Sequence, residues 1–134
     1  MILPNGTVVA VLDGKTMRLF RNRGHEPHID LAEAHEPSLD AANVGSGGRH
    51  RSSTANPDAH RLQEDNFAAA AAAYLNREAL AASFEHLAIV ADPRTLGELR
   101  KHFHAALSAR LVGELAKDLA GHSPESIAQA LAAA

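Results

Sequence analysis

The stretch Thr7-Val8-Val9-Ala10-Val11-Leu12-Asp13-Gly14-Lys15-Thr16-Met17-Arg18-Leu19-Phe20 decides the fold. Residues 8–12 are all apolar, the pattern of a strand covered on both faces, which places it centrally in a sheet. Asp13-Gly14 separates this run from a second strand-like run at Thr16–Phe20. Asp-Gly between two such runs predicts a tight antiparallel hairpin with positive φ at the turn. Ile29 and Leu31 alternate with His28, Asp30 and Ala32, which predicts a third strand running to about His35 and completes a meander before Pro37.

Beyond the meander the pattern changes. Residues 37–57 are rich in Gly, Ser, Asn and Pro, with Leu39, Val44 and a few alanines as the only packing residues. At its centre Gly45-Ser46-Gly47-Gly48-Arg49-His50-Arg51-Ser52-Ser53-Thr54 holds no apolar residue, so it reads as a flexible surface loop. Its glycines permit close backbone approach, and Arg49 and Arg51 offer planar donors suited to phosphate or carboxylate. Asp58 is placed to cap a helix running to about Ala82, with Phe67, Ala70, Ala71 and Tyr74 at helical spacing. The alanine tract 68–73 favours a helix lying close to a sheet. Phe84 and Leu87–Ala91 then form a second buried strand. Asp92-Pro93 starts another helix, with Leu96, Leu99 and Phe103 as its apolar stripe and Arg94 spaced to pair with Glu98. Leu111–Leu115 reads as a short strand, and Ser123-Pro124-Glu125 opens a last helix through Ile127 and Leu131. The predicted order is βββ-α-β-α-β-α, that of the ribonuclease-H-like topology: a single α/β domain whose mixed sheet is covered by helices and whose last strands run parallel.

Composition bounds the function. A chain of 134 residues fits one domain, and with four Phe, one Tyr and no Trp its core is aliphatic. Thirteen Lys and Arg against sixteen Asp and Glu give a net charge of −3, which argues against non-specific nucleic-acid binding by the whole surface and confines polyanion contact to a local patch. No cysteine is present, which removes disulfides, thiolate metal sites and thiol nucleophiles. The opening Met1–Gly6 reaches a turn before any apolar stretch of signal-peptide length, and no segment approaches the roughly 20 apolar residues of a membrane helix, so a soluble cytoplasmic protein is expected.

The segment Ile89-Val90-Ala91-Asp92-Pro93-Arg94-Thr95-Leu96-Gly97-Glu98-Leu99-Arg100-Lys101, with Glu114-Leu115-Ala116-Lys117-Asp118-Leu119, resembles the bacterial host attachment protein family over nearly the full chain. That family is in turn similar to the middle domain of archaeal and eukaryotic class-1 peptide-chain release factors. There a glycine-rich loop carrying Gly-Gly-Gln precedes a long helix, and the glutamine helps place the water that hydrolyses peptidyl-tRNA. Gly47-Gly48-Arg49 stands in the corresponding place. Arg49 cannot accept hydrogen bonds. What the resemblance implies here is contact with RNA or the ribosome through Gly47, Gly48, Arg49, His50 and Arg51, by guanidinium and phosphate.

Three other readings compete with that site. A ribonuclease-H-type nuclease or RNA ester hydrolase would need carboxylates to hold metal ions, and Asp13, Asp92 and Asp118 are the residues to test; each has a simpler role as turn, helix cap or loop residue. Among nine histidines, His25 with His28 and His102 with His104 are the spacings to test for a divalent metal, but neither is diagnostic and both read as surface histidine. Arg94, Arg100 and Lys101 extend the basic patch only if they are not merely solvated. No nucleophile elbow, phosphate loop or dinucleotide fingerprint is present. The expectation is a binding module without catalysis, cofactor or metal, monomeric or weakly dimeric. A protein-interaction factor, docking through its alanine-rich helix faces, is a further alternative.

Overall fold

The computed structural model describes residues 1–37, 39 and 57–134. Strands β1 (Val8–Leu12), β2 (Met17–Asn22) and β3 (Leu31–His35) are followed by α1 (Pro57–Leu80), β4 (Leu87–Ala91), α2 (Pro93–Arg100), α3 (Ala105–Arg110), β5 (Leu111–Ala116) and α4 (Pro124–Ala133). They build one mixed five-stranded sheet of order β3-β2-β1-β4-β5. The β1-β2-β3 meander is antiparallel, while β4 and β5 run parallel to β1. This is the ribonuclease-H-like arrangement expected from the sequence.

The continuous apolar runs are explained by cover on both faces. Val8, Ala10 and Leu12 of β1 and Leu87, Ile89 and Ala91 of β4 face a core shared with α1, α2 and α3; Val9, Val11, Ala88 and Val90 face a second core closed by Ile127 and Leu131 of α4. On the first side α1 presents Ala68, Ala71, Ala72, Leu75 and Ala79, all buried, and the four alanines let the helix lie close to the strands. Phe67 and Tyr74, expected on the same face, are only half-buried at its flank.

Several expectations need correction. The β1–β2 turn uses no positive φ at Gly14. Asp13 holds it instead: its Oδ1 accepts hydrogen bonds from Lys15 N (2.8 Å), Thr16 N (2.7 Å) and Thr16 Oγ1 (3.1 Å), a side-chain substitute for the glycine geometry. β3 starts at Leu31, because Gly24 and Asp30 are drawn into a turn around Asn22, whose Oδ1 accepts both their amides at 3.0 Å. Asp58 is not the residue before the helix; α1 begins at Pro57 and Asp58 lies in its first turn, where an acid complements the helix dipole. The helix ends at Leu80, and Ala82, at φ 57°, takes the left-handed position of a Schellman closure, with Ala82 N donating to Ala79 O and Ser83 N to Glu78 O.

The largest departure is α3, which no sequence pattern predicted. Phe103 does not continue the α2 stripe, because α2 stops at Arg100 and the chain turns through His102 before re-entering a helix at Ala105. Asp92 and Ser123 cap α2 and α4 as expected, each accepting the amide three residues on. Among the described residues no helix is long and apolar enough to cross a membrane.

Candidate functional site

The parallel strands set the chemistry-bearing residues at one end of the sheet. Leu12, Ala91 and Ala116 share one register level, so Asp13, Asp92 and Asp118 all follow carboxyl ends of neighbouring strands. Topology thus collects the three acids that a nuclease reading needs. Their local roles, however, are turn and cap. Asp13 is engaged in the hairpin, Asp92 accepts from Thr95 N (3.1 Å) and Thr95 Oγ1 (2.7 Å), and Asp118 is exposed beyond β5. Among the described residues no group of three or more His, Asp or Glu side chains is arranged to hold a metal ion, and neither His25 with His28 nor His102 with His104 belongs to one.

The first half of α1 arrives at this same end. Glu64 packs over the β1–β2 turn so closely that a Cβ on Gly14 would lie 2.8 Å from its Cγ. Arg94 reaches across from α2 to Glu64 at 3.6 Å and Asp65 at 2.7 Å. This replaces the expected Arg94–Glu98 pair: the guanidinium fork spans two acids of α1, and Glu98 turns to Lys101 at 2.7 Å. Arg100 donates through Nε to Glu114 at 3.0 Å. The hydrogen bonds to Glu114 and Glu98 raise Arg100 and Lys101 above their ordinary pKa values. All three cations considered for an extended basic patch therefore have an acid partner. Such exposed pairs contribute little to stability, but they do cancel local charge.

Gly47, Gly48, Arg49, His50 and Arg51 lie outside the described residues. The chain on either side of them is β3, with Leu39 packed against the α1 side of the core, and α1 itself.

A pairing that the sequence did not suggest joins those two elements. His35, the last residue of β3, places Nε2 3.0 Å from the Tyr74 hydroxyl, with the rings edge to face at a 6.5 Å centroid separation. The pair stands over a cavity of about 80 Å³ lined by Val8, Leu19, Leu75 and Phe84. Arg77 lies 6.0 Å above the Tyr74 ring. Partial burial raises the phenol pKa, the charge of Glu78 adds to this, and Arg77 opposes it. Because the folded state disfavours the phenolate, this contribution to stability is complete below the ordinary value of 10.0 and is lost as pH rises through the higher folded value. Tyr74 is the only tyrosine and tryptophan is absent, so absorbance at 295 nm reports it alone. Its titration, with circular dichroism confirming the fold, is expected to have a midpoint above 10.0 that falls in Glu78→Gln; a wild-type midpoint at or below 10.0 contradicts this environment.

The family model for bacterial archaeo-eukaryotic release factor family 12 matches residues 6–131. A search among curated proteins finds no match. The match takes in the five-stranded sheet, α1 and the Gly47-Gly48-Arg49 stretch between β3 and α1, and the chain therefore belongs to bacterial archaeo-eukaryotic release factor family 12.

Proposed function

We propose that this domain is a translation-directed binding module that contacts RNA, on the ribosome or as tRNA, through Gly47, Gly48, Arg49, His50 and Arg51. The observation that carries the reading is the family match across the whole α/β core, with a Gly-Gly-Arg sequence ahead of the long helix α1. Guanidinium groups at Arg49 and Arg51 suit phosphate oxygens, and the neighbouring glycines allow the backbone to come close to a sugar–phosphate chain. Arg49 lacks the acceptor that a water-placing glutamine provides, so the module binds and does not hydrolyse. The turn and cap duties of Asp13 and Asp92 agree with that reading. On this account the domain works in the cytoplasm, as a monomer or weak dimer. The likeness of Ile89–Lys101 and Glu114–Leu119 to host attachment proteins supplies a biological setting and no chemistry.

The test is tRNA binding across a salt series. Wild type is expected to bind with an affinity that falls as salt rises. The Arg49→Ala, Arg51→Ala double variant is expected to keep its fold and lose about two units of the salt slope, one for each phosphate contact. An unchanged slope and affinity in the double variant contradicts the assignment.

A further inference from the structure

We infer that the groove between α1 and the α2–α3 connection is a second RNA-binding site, taking one or two nucleotides of a single strand. It rests on the RNA-directed reading above only for the choice of RNA as the polyanion; its evidence is separate from the Arg49 and Arg51 stretch.

The groove has a volume of about 430 Å³, within the size range of small-ligand sites. Arg77 enters from α1, and Lys101, His102 and His104 from the opposite wall; no carboxylate lines it. In a chain of net charge −3 that is a local inversion of sign. The cleft beside α4, by contrast, is lined by Asp30 and Glu125. Among the described residues no salt bridge engages Arg77, whose guanidinium also lies over the Tyr74 ring, while Lys101 is paired with Glu98 and feels the more distant charge of Asp65. Between the cations the floor is apolar: Ala73 and Leu80 of α1 and the half-buried Phe103. Leu80 is 71% exposed, so its side chain is accessible to a molecule lying in the groove. Cations flanking an apolar, partly aromatic floor match the two needs of a single strand, which are phosphate neutralisation and a surface for a base.

The groove is built rather than accidental. Asn76 of α1, only 5% exposed, donates through Nδ2 to His102 O at 2.8 Å and accepts His104 N through Oδ1 at 3.0 Å. One buried amide thus clamps both ends of His102-Phe103-His104 onto α1, so the segment that carries two imidazoles and the ring is held at a fixed distance from Arg77. Preorganisation of this kind is what a binding wall requires.

The experiment is titration of ¹⁵N-labelled wild-type protein with a single-stranded oligouridylate, together with affinities of the Arg77→Ala, Lys101→Ala and the Arg49→Ala, Arg51→Ala double variants for the same probe. Wild type is expected to show amide shifts concentrated at Ala73, Arg77, Leu80 and His102–His104. The groove variant is expected to bind about tenfold more weakly with a salt slope reduced by about one, because Glu98 already offsets Lys101, while its thermal midpoint stays near that of wild type. The loop variant should still show the groove shifts. Wild-type shifts that spare the groove, or a groove variant with wild-type affinity, overturn the inference. Groove shifts that persist alongside an unaffected loop variant overturn the Arg49 and Arg51 reading alone.

Discussion

Asn22→Ala is expected to lower the unfolding free energy by about 3 kcal/mol, read as a reduced urea midpoint with an unchanged slope. The side chain is 1% exposed and makes four bonds to backbone. Nδ2 donates to the carbonyls of Leu3 and Pro4, both at 3.2 Å, and Oδ1 accepts the amides of Gly24 and Asp30. One residue thus pins the amino-terminal segment, the end of β2 and the turn into β3. Alanine takes the side-chain partner from Leu3 O and from the amides of Gly24 and Asp30, while Pro4 O still accepts from Thr7 N and Thr7 Oγ1, and an orphaned buried group costs about 1–3 kcal/mol. Neighbouring geometry is equally tight: a Cβ on Gly24 would stand 2.6 Å from His28 O, so the turn cannot easily move to compensate. A loss below about 1 kcal/mol would mean that this clamp is dispensable.

The second large effect concerns the face of α1 against the sheet. Ala71 is fully buried in the core that contains Val8, Ala10 and Ile89. Ala71→Leu adds three carbons where interiors are already close-packed, so the helix must lift off the strands or neighbouring side chains must leave their rotamers. A destabilisation of about 3 kcal/mol is expected, at the upper end of typical overpacking costs. Ala73→Leu, on an exposed position of the same helix, is the control and is expected to stay within about 0.5 kcal/mol of wild type. Equal tolerance at both positions would show that the small residues are not what sets the helix-to-sheet distance.

Much of this architecture was legible because its signals are local. Five consecutive apolar residues at Val8–Leu12, and again at Leu87–Ala91, require cover on both faces, and the structure provides it with α1 on one side and α4 on the other. Asp92-Pro93 and Ser123-Pro124 announce helix starts through the side-chain bond each cap makes three residues on. What escaped the sequence depends on partners far along the chain. The break between α2 and α3 is fixed by Asn76, 26 and 28 residues before the groups it holds, so Phe103 could only look like the next rung of the Leu96, Leu99 stripe. Arg94 pairs with Asp65 across 29 residues, whereas sequence spacing can offer only Glu98. The Asp13 turn was placed correctly but for the wrong reason: a carboxylate, not a left-handed glycine, holds it. Among the candidate sites, the basic stretch around Arg49 and the three strand-end aspartates stand out in the sequence. The groove on α1 does not, because Arg77, Leu80 and His102–His104 meet only after the helices pack.

RNA-directed binding is decided by co-sedimentation of the purified protein with ribosomes at low and moderate salt, with the Arg49→Ala, Arg51→Ala variant run in parallel. Wild type is expected to pellet with ribosomes at low salt and to be released as salt rises, and the variant to stay largely in the supernatant. Wild-type protein that remains in the supernatant at low salt, or a variant that pellets as fully as wild type, would contradict it.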